Sequence, residues 1–266
     1  MDLPRNLTNS YCKRTLVQTW ILKIKAAQAA FIFLIDNMRN IERIVFTGID
    51  ENTNLSELCK IQEEYPKIEF GVLISESHDE NGPRYLSPEK ITELKGLGLN
   101  LAAHICGRLG REACRGNLGD TISFCNGAFE VFQRIQVNCP ITPIEWRPDE
   151  EPFSLLKENI KEVILQRTYP EDVPSIYDPR LSVLMDASGG RGIFTDIPVV
   201  TGWAGKVGYA GGLNPDNVRG FIKTGLWNLP EEGTTWIDME SGVRTEDLFD
   251  LDKVKKVLEV AYEFVS

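Results

Sequence analysis

The sequence predicts a (β/α)8 barrel, and two patterns along the chain lead to that fold class. From residue 41 onward, short apolar runs rich in β-branched residues alternate with charged segments of helical period. The runs are continuous, as in Val183-Leu184-Met185, which is typical of parallel strands covered on both faces. Eight such units form a closed barrel or a doubly wound sheet. The chain's 266 residues are close to the roughly 250 of a single barrel.

Each element is predicted from its own stretch of sequence. Strands are predicted where β-branched and aromatic residues dominate, and helices where a capping side chain or a proline precedes helical periodicity. Prolines after Tyr169 predict a loop there, and residues 123–127 and 193–203 are expected to be irregular. The predicted strands are 43–49, 68–74, 100–106, 131–138, 162–167, 181–186, 206–209 and 235–238, and the predicted helices begin near Asn54, Ser87, Gly107, Pro152, Pro215 and Asp250.

Residues 1–40 are expected to form a helical extension that precedes a barrel domain of residues 41–266. Between residues 15 and 38, apolar side chains such as Trp20 and Phe31 recur at intervals of three and four, which places them on one stripe of a helix. We interpret this helix as a cap across the bottom of the barrel or a helix packed on its side. A homodimer contact and an interfacial membrane helix are the alternatives.

Charge and cysteine content restrict the class of partner and the compartment. With 29 basic and 39 acidic residues the net charge is −10, which argues against a nucleic-acid or anionic membrane surface but permits a small anionic ligand. The six cysteines and two histidines show no metal-binding spacing, so we expect reduced thiols, no metal and no cofactor. The apolar run 26–35 is too short to span a bilayer, and no signal peptide is evident. These features predict a soluble, cytoplasmic protein.

Three glycine-rich or small-residue turns follow predicted strands at the end where barrel active sites are built. The first is Asp186-Ala187-Ser188-Gly189-Gly190, in which a carboxylate ends an apolar strand; such a loop is also a common plain turn. The other two are Gly211-Gly212 and Ser241-Gly242, which follow the seventh and eighth strands. Small residues expose backbone N–H groups to an anion, and loops seven and eight commonly bind phosphate in barrels. Together they predict a site for a phosphorylated ligand.

From about residue 41 to the C-terminus the chain resembles phosphoribosylanthranilate isomerase, the barrel enzyme of tryptophan biosynthesis. The resemblance lies in five short segments that occur in the family's order, and residues 1–40 have no counterpart in it. Two segments precede the three turns described above: Phe46-Thr47-Gly48-Ile49 and Pro83-Arg84-Tyr85-Leu86-Ser87-Pro88-Glu89.

The resemblance implies an Amadori rearrangement, in which a ribose ring opens and a proton leaves the second carbon of the sugar. An acid protonates the ring oxygen and a base takes the carbon-bound proton. By resemblance the acid is Asp186, the arginine that holds the anthranilate carboxylate is Arg84, and Asp238 matches an acidic residue at the end of strand eight. A guanidinium suits a carboxylate because it binds in a bidentate fork. The implied phosphate-binding residues are Gly211, Gly212, Ser241 and Gly242, with Gly189 and Gly190 nearby.

The chain departs from the family at the position of the base. The family has a cysteine there, whereas this chain has Thr47, whose hydroxyl does not readily take a proton from carbon near neutral pH. Arg244 stands where the family usually has an acid, and Asn138-Cys139 replaces a His-Gly pair. Cys139, Cys106 and His104 could lie near the mouth, but we interpret the cysteines as packed thiols and His104 as a core histidine.

Three functions are therefore considered. The first is an isomerase like phosphoribosylanthranilate isomerase, with Asp186 as acid, Arg84 as carboxylate ligand and no assigned base. The second is a phosphate-binding barrel that has lost catalysis and serves as a ligand-binding or scaffold protein. The third is a different phosphosugar isomerase or lyase. A class I aldolase is disfavoured because Lys206 begins strand seven, away from the expected site.

Overall fold

The structure is a computed structural model that describes residues 41–77, 82–138, 159–173, 178–194, 200, 205–226 and 235–266. The predicted helices at 15–38 and near Pro152 lie outside the described residues, as do Cys139 and His78. The proposed helical nature of residues 1–40 therefore stays a prediction.

Eight parallel strands form a closed barrel, as predicted. Each strand pairs with its neighbours in sequence, and the first strand also pairs with the eighth. Helices or helical turns follow most of the strands, which is the alternation expected of a (β/α)8 barrel. The strands are β1 Arg43–Thr47, β2 Ile68–Ile74, β3 Leu101–Ile105, β4 Arg134–Val137, β5 Glu162–Arg167, β6 Leu181–Asp186, β7 Lys206–Ala210 and β8 Thr235–Met239.

Strands β2, β5 and β6 have the predicted bounds, and the others differ at their ends. Strand β1 stops at Thr47 because Gly48 has a φ of 87°, which turns the chain out of the extended conformation. Strand β4 begins only at Arg134 because Phe129–Val131 forms a 3-10 turn. Local hydrophobicity did not distinguish this turn from the strand that follows it.

Six α-helices are found in the described residues, and three begin at the predicted caps. Asn54 and Ser87 each accept a hydrogen bond from a backbone N–H three residues on, and Asp250 accepts from the backbone N–H groups two and three residues on. The helix expected near Pro215 begins three residues later, and its short α-helical part continues as a π-helical turn over Phe221–Gly225. The helices are α1 Leu55–Glu64, α2 Pro88–Glu93, α3 Gly107–Cys114, α4 Gly119–Phe124, α5 Val218–Gly220 and α6 Leu251–Ala261.

The middle of the barrel is a packed core. Trp236 of β8 is buried there among Val45, Ile164 and Leu184 from three other strands. On β7, a Cβ atom at Gly208 would overlap the Trp236 indole ring, so the absence of a side chain is what admits the tryptophan. Because this layer fills the interior, a ligand site has to lie beyond it, at one end of the barrel.

A short hairpin follows β8. The 3-10 turn Ser241–Val243 leads into the antiparallel pair β9 Arg244–Thr245 and β10 Leu248–Phe249, before α6 begins. Glu246 and Asp247 form its turn with φ of 50° and 63°. Among the helices of the described residues, none has the length and apolar character needed to cross a membrane.

Candidate functional site

A cavity of about 540 Å³ lies at the C-terminal ends of the strands and brings most of the predicted site residues together. It is lined by residues that follow strands from both halves of the barrel, so it is the end predicted to hold the site. Gly242 is the one predicted site residue that does not line it. The predicted residues that do are Thr47, Arg84, Asp186, Gly189, Gly190, Gly211, Gly212, Asp238 and Ser241.

Asp186, the last residue of β6, has a carboxylate that accepts four hydrogen bonds. Its Oδ1 accepts from the Ser188 hydroxyl at 2.6 Å and from the Ser188 N–H at 3.1 Å. Its Oδ2 accepts from the Gly190 N–H at 2.7 Å and from Gln166 Nε2 at 2.9 Å. The tight turn after β6 therefore wraps around the carboxylate and holds it in one orientation.

Gly189 and Gly190 serve this carboxylate rather than a free anion. The Gly189 N–H donates to the Asp186 carbonyl at 2.9 Å, and the Gly190 N–H donates to the Asp186 side chain. Their φ values of 61° and 81° explain why the turn needs glycine at both positions. Because both amides already have acceptors, we remove these two residues from the predicted phosphate-binding set.

The turns after β7 and β8 lie against each other. A Cβ at Gly242 would overlap the carbonyl group of Leu213, so the glycine allows the second turn to approach the first. Within the described residues, the N–H groups of Gly211, Gly212, Ser241 and Gly242 donate to no acceptor. We call these four residues the donor surface, because adjacent unused backbone N–H groups are donors of the kind that can bind an anion.

The segment after the Asp186 turn also borders this donor surface. Ser241 lies against Gly192, where a Cβ would stand 3.0 Å from the Ser241 Cβ. Ile193 and Phe194 pass over Gly212, so that a side chain at Gly212 would overlap their backbone. The β6 loop is thus a wall of the site, and an anion would be enclosed by segments that follow three strands.

Thr47 and Asp238 form a buried pair on the barrel wall. The Thr47 hydroxyl donates to Asp238 Oδ1 at 2.7 Å across the junction of β1 and β8. Both side chains line the cavity, although only 2% and 5% of their residue surfaces are exposed. Burial raises the pKa of Asp238 to about 8, helped by the negative charges of Glu240, Glu69 and Asp186, while the Thr47 bond opposes the rise.

A polar group on β3 and β4 faces the same space. Gln136 Nε2 lies 3.1 Å from His104 Nδ1 and donates to Asn138 Oδ1 at 2.9 Å. Burial lowers the pKa of His104 to about 3, which keeps the imidazole neutral, and burial raises the pKa of the Cys106 thiol to about 12. In the described part of the chain the buried Gln136 Oε1 has no hydrogen-bond partner.

Arg84 is not free in this structure. Its guanidinium bonds to Glu240 at 3.1 Å and forms a second ion pair with Asp247 in the β9–β10 turn. Burial and nearby carboxylates raise the pKa of Glu240, whereas Arg84 and Arg244 lower it. A substrate carboxylate would therefore have to replace at least one of these partners. The sequence did not indicate this competition, because neither acidic residue belongs to a recognisable motif.

Arg244 fixes the loop after β1 to the hairpin after β8. Its guanidinium lies 3.1 Å from Asp50 Oδ2 and also donates to the Gly48 carbonyl, and both charged side chains are buried. Asp50 is further held by the Phe249 N–H at 2.6 Å. Arg244, unusual for the family, is thus balanced by Asp50 and lies behind the cavity rather than in it. No cluster of metal-ligating side chains is found among the described residues.

A family profile matches part of the chain. The profile for "N-(5'phosphoribosyl)anthranilate (PRA) isomerase" matches residues 153–260. Over these residues the chain is similar to the phosphoribosylanthranilate isomerases. The match to this isomerase family includes Asp186, both turns of the donor surface and Asp238, whereas Thr47 and Arg84 precede it. Their correspondence to isomerase residues rests on the sequence resemblance and on their position in the cavity.

A solved structure of a phosphoribosylanthranilate isomerase shares the fold. The structure of N-(5'-phosphoribosyl)anthranilate isomerase from Pyrococcus furiosus is 20% identical, covers 83% of this chain and 98% of its own, and superposes with a TM-score of 0.50. The isomerase from Thermococcus kodakaraensis is 16% identical with the same coverage and a TM-score of 0.46. A search of curated proteins finds no match to this chain.

Proposed function

We propose that the chain catalyses the Amadori rearrangement of N-(5'-phosphoribosyl)anthranilate, the isomerase step of tryptophan biosynthesis. The observation that carries the proposal is the single cavity lined by Asp186, Arg84 and three of the four donor-surface residues, all except Gly242. These are the three groups that a substrate with a ribose ring, a carboxylate and a phosphate requires. No feature of the described residues favours the scaffold alternative or another phosphosugar reaction.

The phosphate would bind the donor surface formed by Gly211, Gly212, Ser241 and Gly242. Their N–H groups are unused within the described residues, and each bond to a phosphate oxygen would be charge-assisted. Binding by backbone amides also agrees with a net charge of −10, since it needs no basic patch. The other end of the substrate would meet Arg84, whose guanidinium would exchange Glu240 for the anthranilate carboxylate.

Asp186 would protonate the ring oxygen, which opens the ribose ring. Its hydrogen bond with Ser188 is compatible with both protonation states, because a hydroxyl can donate to a carboxylate or accept from a carboxylic acid. Gln166 and Gly190 keep the second oxygen aimed in one direction in either state. A fixed orientation matters because proton transfer requires close approach to the reacting atom.

The substitution Asp186→Asn tests the proposed activity. We expect the wild-type chain to convert phosphoribosylanthranilate and to restore growth of a strain that lacks the isomerase. Asp186→Asn should lower kcat by about 100-fold or more, the usual contribution of a positioned acid. Asp120→Asn is a matched control, because Asp120 is exposed and pairs only with the exposed Arg108 within the described residues. A wild-type chain with no turnover, or full activity in Asp186→Asn, would contradict the proposal.

The proposal extends to partners and location. A small phosphorylated substrate, no nucleic-acid partner and a cytoplasmic location agree with the acidic composition. Homodimer formation is a separate proposal that sedimentation of the purified chain would test directly.

A further inference from the structure

The proposed rearrangement needs a group that removes a proton from carbon, and Thr47 cannot readily do so. Its hydroxyl stands where the isomerase family has a thiol, and a hydroxyl is a far weaker acid than a thiol. In this chain the hydroxyl points at a carboxyl group 2.7 Å away. The sequence left the base unassigned, and a neighbour of Thr47 is therefore a better candidate than Thr47 itself.

We propose that the carboxylate of Asp238, held in place by the Thr47 hydroxyl, accepts the proton from the second carbon of the sugar. This inference rests on the proposed isomerase function. Asp238 would be a catalytic residue, because it meets the reacting hydrogen, and Thr47 a positioning residue. The Thr47 hydroxyl and the Asp238 carboxyl are neighbours, so a substrate placed to lose a proton to a group at position 47 would also lie close to Asp238.

The geometry leaves one carboxyl oxygen available for the reaction. Thr47 bonds to Oδ1, and among the described residues it is the only hydrogen-bond donor to this carboxyl. Asp238 lines the cavity on β8, and Asp186 lines it on β6. A ligand between them would have a proton donor and a proton acceptor on different parts of the barrel wall. Asp186 accepts four hydrogen bonds, so the surroundings of the two aspartates differ.

The other ionisable groups of the cavity are poorer candidates. Burial raises the pKa of the Cys106 thiol to about 12, so almost none of it is thiolate near neutral pH. Burial lowers the pKa of His104 to about 3, so its imidazole binds a proton weakly. Burial raises the pKa of Asp238 to about 8. Its carboxylate is therefore a stronger base than an ordinary one, and it ionises in the pH range in which enzymes are assayed.

The proton transfers balance over the substrate, Asp186, Asp238 and solvent. After ring opening, the C–H bond at the second carbon breaks, and its electron pair forms a double bond to the first carbon while the iminium nitrogen becomes neutral. The proton goes to the Asp238 carboxylate. The proton on Asp238 then goes to the first carbon. The hydroxyl proton leaves through solvent, which restores the proton that Asp186 gave to the ring oxygen, and the product is the ketone, so no redox partner is needed.

The test compares kcat and its pH dependence in four variants. Asp238→Asn keeps an oxygen for the Thr47 bond, so it should fold, and it should lose about 100-fold or more of kcat. Thr47→Val removes a hydrogen bond that lowers the pKa of Asp238, so this pKa should increase. The rise of kcat with pH should therefore shift to higher pH than in the wild type. Thr47→Cys in the Asp238→Asn background should regain activity, because it supplies a thiol at the same location. Asp120→Asn is the unaffected control.

The sign of the pH effect follows from the role of the group. A base must be deprotonated, so kcat should rise as pH increases through the pKa of Asp238, with Glu69, Asp186, Glu240 and the neutral His104 as its ionisable neighbours. A kcat that falls over this range overturns the proposal. So does an Asp238→Asn variant, folded by circular dichroism, that keeps more than about a tenth of kcat. Absence of isomerase activity in the wild type would instead overturn the proposed function.

Discussion

At the scale of single residues, two aspartates of the cavity have different surroundings. Asp186 receives four hydrogen bonds from its own turn and from β5, whereas Asp238 receives one from Thr47 in the described residues. Pairs of ionisable groups in unlike environments commonly divide acid and base roles between them. The sequence predicted that both residues face the site, but it contained no sign of these hydrogen bonds.

The pairing of Arg84 with Glu240 leads to a prediction about substrate affinity. Glu240→Gln should strengthen binding of a carboxylate ligand, because it removes one competitor for the guanidinium and leaves Asp247 in place. A half-exposed ion pair contributes about 0.2–1 kcal/mol, so KM should fall by roughly 1.5- to 5-fold. Steady-state kinetics and calorimetry with anthranilate measure this change.

The matched control for that variant is Glu112→Gln, which removes the surface pair with Arg115 far from the cavity. It should leave KM unchanged. An increase in KM for Glu240→Gln would mean that Glu240 helps to orient Arg84 for the substrate, contrary to the competition described here.

At the scale of elements, the loop after β1 and the hairpin after β8 are joined by a buried ion pair. Arg244→Met should destabilise the chain by about 3–5 kcal/mol, because it leaves the Asp50 carboxylate buried without its cation. Adding Asp50→Asn should recover part of the loss, since the remaining partner is then uncharged. Urea unfolding of the two single variants and the double variant measures the coupling. Strictly additive losses would show that the pair acts independently.

Element boundaries show what local sequence can and cannot predict. Strands β2, β5 and β6 were predicted to the residue. Helix α5 starts late because Asn214 and Asn217 close a turn of their own: the Asn214 N–H donates to Asn217 Oδ1 at 2.8 Å. Helix α4 was missed because its six residues include glycine and β-branched types that weakly favour helix. Such side-chain turns and short helices depend on tertiary contacts.

At the scale of the whole molecule, packing of the barrel interior depends on Gly208, which leaves room for the Trp236 ring. Gly208→Ala should destabilise the chain, because the new methyl group would overlap the Trp236 ring in the central layer. Overpacking of a filled core costs about 1–3 kcal/mol. Thermal unfolding measures the loss. Gly220→Ala is the control, since a Cβ there meets no atom within 4 Å, and an equal effect of both substitutions would contradict the packing argument.

The sequence predicted the closed barrel, but it did not predict the side-chain contacts that form within it. Counting strands was enough to place the turns after β7 and β8 at one end, because parallel strands all point the same way. It was not enough to show that Thr47 would bond to a residue 191 positions away, or that the Asp186 turn would use its own glycine amides. Long-range side-chain pairing also depends on side-chain rotamers, which the hydrophobic pattern does not encode.

The hydrogen bond between Thr47 and Asp238 joins β1, the first strand in the sequence, to β8, the last strand of the barrel. During refolding, neighbouring strands can associate early, whereas this connection has to wait for a loop that includes nearly the entire domain. Recovery of enzymatic turnover should therefore trail the return of the circular dichroism signal. The return of activity would then report when the first and last strands of the barrel come together.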